Sequence, residues 1–300
     1  MAQDKMVRGL LAHGSVQFTA VSGKTLVEAA REAHGLSRLC SAALGRTLLC
    51  CCMMGTHLKN GRERVSAIVK GGGPTGNIVC TAWKEGGDTM VKGYIENPSL
   101  EFPLRENGKL DVGGGVGSGG ELIVTRDLSL REPYVGHVHM VSGEIAEDFA
   151  QYFTVSEQQP SLVYLGVHVA AAEGEVRSAG GLIVQPLPDC PAETLDALQE
   201  KAAGIGALAG LLEKKELEQA LCELLGDMEL QIQETSLPLY HCDCSRERLE
   251  QVLISLGEEE LNDMIENDHR AEVKCHFCNT VYTFEAEEMK KLLAEAKGKK

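Results

Sequence analysis

The sequence predicts an α+β protein in three parts: a strand-rich N-terminal domain with segregated helices, a helical linker, and a small C-terminal domain built around four cysteines. Three observations carry this reading. Alternating apolar and polar residues, broken by glycine-rich turns, dominate residues 1–186, as half-buried strands require. Pro186, Pro188 and Pro191 then introduce a change to three- and four-residue apolar spacing over 187–235. Residues 236–300 have few aromatics and bury too little apolar area to fold securely without a staple.

In chain order, residues 6–21 read as a hairpin turning near His13-Gly14, followed by helices over Thr25–His34 and Ser37–Leu58. Alternation then predicts strands over Arg64–Lys70, Asn77–Lys84 and Asp88–Ile95, and again over Glu121–Leu128 and Tyr134–Met140. Glu144–Phe153 has helical spacing, and Ser161–Ala171 with Glu175–Val184 returns to strand. Strands with segregated helices suit the α+β class. In the linker, Leu195, Leu198, Ala202, Ile205, Leu208 and Leu212 form one helical face, and Leu217, Leu221, Leu224 and Met228 form a second. Gly204, Gly206 and Gly210 interrupt the first pattern, each costing roughly 1 kcal/mol relative to Ala. Such helices need a surface to pack on. The last part reads as helices over Ser245–Leu256 and Glu258–Asn267, short strands over Ala271–Lys274 and Thr280–Phe284, and a helix from Ala286 to Ala296.

The bulk numbers exclude several classes of function. The chain has 300 residues, 43% of them hydrophobic, and no apolar run approaches a membrane span. Mean hydropathy is -0.11. Charges in Met1-Ala2-Gln3-Asp4-Lys5-Met6-Val7-Arg8 stand where an export signal needs an apolar core. Eleven cysteines in an unexported chain are then expected as thiols or metal ligands, which places the protein in the cytoplasm. A net charge of -15 argues against nucleic acid and against an anionic membrane as partners. Residues 187–235 hold 11 acidic and 3 basic residues, a net of -8 and more than half of the total.

Cys242-Asp243-Cys244 and Cys275-His276-Phe277-Cys278 are the most specific motif. Two close pairs can supply the four thiolates of a tetrahedral Zn²⁺ site, with Zn–S near 2.3 Å, making the last part a small zinc-binding domain. Metal-bound thiolates are also oxidisable nucleophiles. A permanent structural zinc is one outcome. The other is a redox switch, in which Cys242/Cys244 and Cys275/Cys278 close into disulfides and the metal leaves. Thioredoxin-like chemistry at Cys275/Cys278 is a third, but that motif opens a helix after a strand, and here strands stand on both sides. His241 and His276 adjoin ligand cysteines and read as bystanders or outer-shell donors. Cys50-Cys51-Cys52 lies inside a helix pattern, where neighbouring side chains diverge, and reads as core thiols.

Two nucleotide motifs are decoys. Gly23-Lys24-Thr25 ends like a phosphate loop, yet residue 18 is Phe where the first glycine is required. Gly115-Val116-Gly117-Ser118-Gly119-Gly120 fits the dinucleotide pattern, but the strand Leu122-Ile123-Val124 follows instead of a helix. A glycine-rich hairpin is the expectation for that stretch. No paired carboxylates or Ser/His/Asp set stand out, so no catalytic residue is expected.

Over essentially its full length the chain resembles the heat shock protein 33 family of redox-regulated 33-kDa holdase chaperones. The two cysteine pairs carry the resemblance, together with Leu44-Gly45-Arg46-Thr47, Gly73-Pro74-Thr75-Gly76, Gly113-Gly114-Gly115-Val116-Gly117 and Tyr152-Phe153-Thr154-Val155-Ser156-Glu157-Gln158-Gln159-Pro160-Ser161. The resemblance implies one Zn²⁺ per chain, held by Cys242, Cys244, Cys275 and Cys278 in an inactive reduced state. It implies two disulfides among the same residues in an active state that binds unfolding client proteins without ATP, commonly as a homodimer. Residues 1–186 are then expected to bind clients and dimerise, 187–235 to be a metastable relay, and 236–300 to be the switch. A thiol-disulfide oxidoreductase using Cys275/Cys278 and a static zinc-stapled interaction module are the competing expectations.

Overall fold

The chain divides into two units, Met1–His241 and Cys242–Lys300. The structure is a computed structural model describing residues 3–172 and 174–298, so Met1 and Ala2 of the expected unexported N-terminus lie outside the described residues.

The first unit is organised around one buried helix. Its chain begins with strands β1 (Lys5–Leu11) and β2 (Val16–Ser22), then helices α1 (Lys24–His34) and α2 (Arg38–Gly55). The Ser37 side chain accepts from the Cys40 amide and starts α2. Nearly every α2 residue from Leu39 to Gly55 is buried, as expected of a helix that is apolar all round. Strands β3 (Arg64–Lys70), β4 (Ile78–Glu85) and β5 (Asp88–Ile95) follow, then a short helix α3 (Val112–Val116). Next come β6 (Glu121–Asp127), β7 (Tyr134–His139), helix α4 (Ala146–Val155), β8 (Leu162–Val169) and β9 (Val176–Pro186). The linker supplies α5 (Ala192–Ile205), α6 (Leu208–Leu211) and α7 (Leu217–Leu225), and the unit ends with β10 (Gln231–Ser236) and β11 (Pro238–Tyr240).

These strands make two sheets, ordered β10-β1-β2-β9-β8 and β11-β5-β4-β3-β6-β7. Helix α2 lies between them, and residues from both sheets join it in one core. The second sheet buries one face only, so β5 alternates regularly between half-buried and buried positions. The first sheet is covered on both faces. Met6, Val21 and Ile183 face α2, whereas Val7, Phe18, Leu182 and Val184 face the linker helices. Leu198, Ile205, Leu208, Leu217, Leu221 and Leu225 complete that second core, which is the surface those helices require.

Two stretches differ from the sequence expectation. Residues 115–120 form no glycine-rich hairpin: Gly115 and Val116 end the short helix Val112–Val116, in which Gly114 N donates to the Asp111 carboxylate, and residues 117–120 lead irregularly into β6. Packing forces the composition, because a Cβ on Gly115 stands 2.7 Å from the Leu39 side chain, and Gly117 turns the chain at φ +80°. The end of the expected helical linker is strand β10, paired antiparallel with β1. Its side chains are largely exposed, so it carries no burial pattern, and the open edge of β1 decides its conformation.

The second unit contains α8 (Arg246–Leu256), α9 (Glu258–Asp263), the hairpin β12 (Arg270–Lys274) and β13 (Val281–Glu285), and α10 (Ala286–Gly298). Its core is small: Leu253, Leu261, Ile265, Ala271, Phe284, Met289 and Leu292.

Candidate metal centre

Both cysteine pairs sit at the edge of that small core, and local backbone features aim them. Cys242-Asp243-Cys244 leads into α8, whose Ser245 side chain accepts from the Arg248 amide. Asp243 is tied to Arg248 by a 2.6 Å ion pair, which holds the residue between the two thiols. The second pair occupies the loop joining β12 to β13. Cys275 N donates to Thr280 O at 2.9 Å, Asn279 N donates to Cys275 O at 2.8 Å, and Asn279 adopts φ +59°. This tight turn brings the sulfurs of Cys275 and Cys278 to one side. On β13, Arg246 lies over the Phe284 ring at 4.3 Å, and it also pairs with Glu288 at 2.7 Å, fixing the start of α8 on the hairpin.

The four Sγ atoms all lie within 4.8 Å of one another. Cys242 Sγ is 3.7 Å from Cys275 Sγ, and Cys244 Sγ is 3.4 Å from Cys278 Sγ. A tetrahedral site with Zn–S near 2.3 Å has sulfur–sulfur edges of about 3.8 Å, so the spacing fits such a metal. Neither His241 nor His276 contributes an atom to the cluster. His241 belongs to the first unit, its ring 6.2 Å from that of Trp83. Cys275 is buried and the other three are half-buried.

The thiols are not equivalent. Burial pushes Cys242 and Cys275 above the ordinary thiol range. Burial acts on Cys278 in the same direction, but hydrogen bonds from Thr280 and the neighbouring thiols overcome it and bring Cys278 to about 7. The Thr280 hydroxyl lies 3.2 Å from its sulfur. Tyr282 OH is 3.3 Å from Cys244 Sγ, and that hydrogen bond pushes the phenol up to about 12. Sequence spacing had not singled out Thr280 or Tyr282. Two and four residues beyond Cys278, they are ordinary polar positions of a hairpin until the cluster forms beside them.

The remaining motifs resolve as structure. Cys50, Cys51 and Cys52 are fully buried in α2, and burial raises all three, Cys51 to about 12, so none is a ready nucleophile. Gly23-Lys24-Thr25 opens α1, but the Asp4 carboxylate accepts from Thr25 N at 3.1 Å and Leu26 N at 2.7 Å. A carboxylate of the chain therefore takes the place where a phosphate loop holds its ligand.

Comparison with known proteins agrees with this architecture. The family model described as Hsp33 protein matches residues 4–285. The 33 kDa chaperonin of Clostridioides difficile (strain 630) is 42% identical over 294 residues, covering 98% of this chain and 99% of that protein. That of Alkaliphilus oremlandii (strain OhILAs) is 41% identical, covering 99% of this chain and 98% of its own length. The crystal structure of the 33 kDa chaperonin from Thermotoga maritima superposes with a TM-score of 0.88 at 35% identity, covering 99% of this chain and 100% of that one. With two cysteine pairs converging on one four-thiol cluster and a family match over nearly its whole length, the chain belongs to the Hsp33 family.

Proposed function

We propose that the chain is a redox-regulated, ATP-independent holdase chaperone, switched at Cys242, Cys244, Cys275 and Cys278. The convergence of four thiols beside a core of seven fully or nearly buried apolar residues carries this reading. In the reduced protein the four sulfurs hold Zn²⁺, which supplies a cross-link with an apparent binding energy of about 10–16 kcal/mol. That exceeds what so small a core gains by itself.

An oxidant such as hydrogen peroxide takes two electrons from each pair of thiolates. Cys242 joins Cys244, Cys275 joins Cys278, and peroxide is reduced to water. Sulfurs bonded to each other no longer provide four thiolate donors, so the second unit loses its main support. Only His241 separates Cys242 from β11, which is three residues long and pairs with the edge of β5. Loosening therefore passes along the chain to β11, β10 and the linker helices. Detachment of α5–α7 uncovers Val7, Phe18, Leu182 and Val184 as apolar surface for unfolding client proteins. The -8 charge of residues 187–235 keeps the released segment soluble. Residues 1–186 then act as the client-binding and dimerising domain, 187–235 as the relay and 236–300 as the switch, in a cytoplasmic protein that works as a homodimer when oxidised. The Asp4-filled start of α1 accords with independence from ATP.

Titration of the reduced protein with peroxide, reading free thiols and released Zn²⁺ together, tests this. Release of one metal ion as the four thiols vanish supports the switch. Retained zinc on fully oxidant-treated protein leaves the static module standing, and turnover of a disulfide substrate by Cys275/Cys278 makes the chain an oxidoreductase.

A further inference from the structure

A cleft of about 620 Å³ lies within the first unit and shares no residue with the cysteine cluster. One face of α2 forms its floor, with Arg38, Ala42 and Arg46 at successive fourth positions. Arg105 and Lys109 reach it from the loop before α3, and Arg177 from β9. Glu144 and Glu213 are the carboxylates among its lining. Five cations against two carboxylates is a local reversal of sign in a chain of net charge -15.

The cations have different roles. Arg46 donates to Glu144 at 2.7 Å, and Arg105 pairs with both Glu144 and Asp111, so these two guanidinium groups are held in place. Arg38 and Lys109 make no ion pair among the described residues. The Nε–H groups of Arg38 and Arg46 are buried without an acceptor. Arg38 is also the first residue of α2, at the positive end of a long helix whose first turn contains no acidic residue. A cation there opposes the helix dipole and is stabilised once an anion arrives. Guanidinium groups present paired donors that match phosphate oxygens. Arg38 and Arg46 stand about 12 Å apart along the helix, further than one phosphate spans.

We propose that this cleft binds a small multivalent oxyanion carrying two or more phosphate groups. The rival occupant is an acidic peptide laid along the edge strand β8, whose residues Tyr164 to Val169 line one wall.

The test is calorimetric titration of the reduced, zinc-loaded full-length protein with sodium tripolyphosphate, with orthophosphate, and with a short acidic peptide. Tripolyphosphate is expected to bind one-to-one and at least about tenfold more tightly than orthophosphate, and Arg38→Gln and Lys109→Gln are each expected to weaken it about tenfold, as loss of one charge-assisted contact requires. Lys109 is exposed on a loop, so its variant reports even where Arg38→Gln fails to fold. Arg62→Gln, exposed and outside the cleft, is expected to bind as the parent does. Absence of binding overturns the proposal, and so does equal binding by the parent and Lys109→Gln, the result expected if tripolyphosphate only strips the metal. Tighter binding of the peptide overturns it in favour of strand addition at β8. None of these outcomes depends on chaperone activity.

Discussion

Cys275 lies against Cys242 and Cys278 against Cys244 because a backbone turn closed at Thr280, not the side chains themselves, sets their direction. Cys242 and Cys244 depend instead on Asp243 and the start of α8. The four positions are thus held by unrelated local devices, and each is required for the set. Cys278→Ser is expected to lose the metal, and with it more than the stability of the second unit, since structural zinc contributes about 10–16 kcal/mol. Hydrogen exchange on the reduced variant checks this: amides of β12 and β13 lose protection, while those of β2 and β9 keep theirs. In the first unit, Glu144 plays a comparable joining role. Burial opposes its ionised form, but Arg46, the Gly113 amide and Arg105 outweigh burial and hold its carboxyl below the ordinary 4.5. A carboxyl lowered in the folded state stabilises the fold above the unfolded value, and that contribution disappears as pH falls through the lower, folded value. Glu144→Gln is therefore expected to cost about 2 kcal/mol at neutral pH, less than a fully buried pair because the groups are partly exposed. Its stability is expected to fall less steeply than the parent's below pH 4.5, as denaturant melts across pH 3 to 7 at about one-unit steps will show.

At the scale of elements, the linker helices are balanced between packing and intrinsic weakness. Leu221 is fully buried against the outer face of the first sheet. Leu221→Ala is expected to cost about 2–5 kcal/mol and to loosen α7. Gly204 is the opposite case: a Cβ there meets nothing within 4 Å, and the residue lies inside α5. Gly204→Ala is expected to stabilise the helix by about 0.5–1 kcal/mol. Limited proteolysis of the reduced proteins is the check, with cleavage in 187–230 faster than the parent for the first variant and slower for the second. These helices were legible in the sequence because their leucines recur at helical spacing. The strands of the second sheet were legible for the corresponding reason, a period of two with one face turned to α2, whereas β9, buried on both faces, reads as a short apolar run. Strand β10 was not, because Gln231–Ser236 buries almost nothing and takes its conformation from β1. Nor was α3, whose Gly-Gly-Gly core has the worst helix propensity short of proline and forms only where Asp111 caps it and Leu39 excludes a side chain. The metal site shows the same division. Spacing of the four cysteines was enough to find the cluster, whereas the neighbouring groups Thr280 and Tyr282 depend on a hairpin register that no motif encodes.

Across the whole molecule, two units rely on different sources of stability. The first has a large core spanning two sheets and α2. The second has a small core beside four thiols, and under the proposed switch its folding follows their oxidation state. Between the two sources lies a helical segment of charge -8 that covers one apolar sheet face. A change confined to sulfur chemistry can therefore alter how much apolar surface the protein presents, while the larger unit stays folded. The most direct test follows aggregation of a thermally unfolding client by light scattering, without nucleotide, in the presence of reduced or peroxide-treated protein. Suppression by the oxidised protein alone, reversed by reductant and Zn²⁺, is the predicted result; equal suppression by both forms, or none by protein that has formed both disulfides and released its zinc, would contradict it.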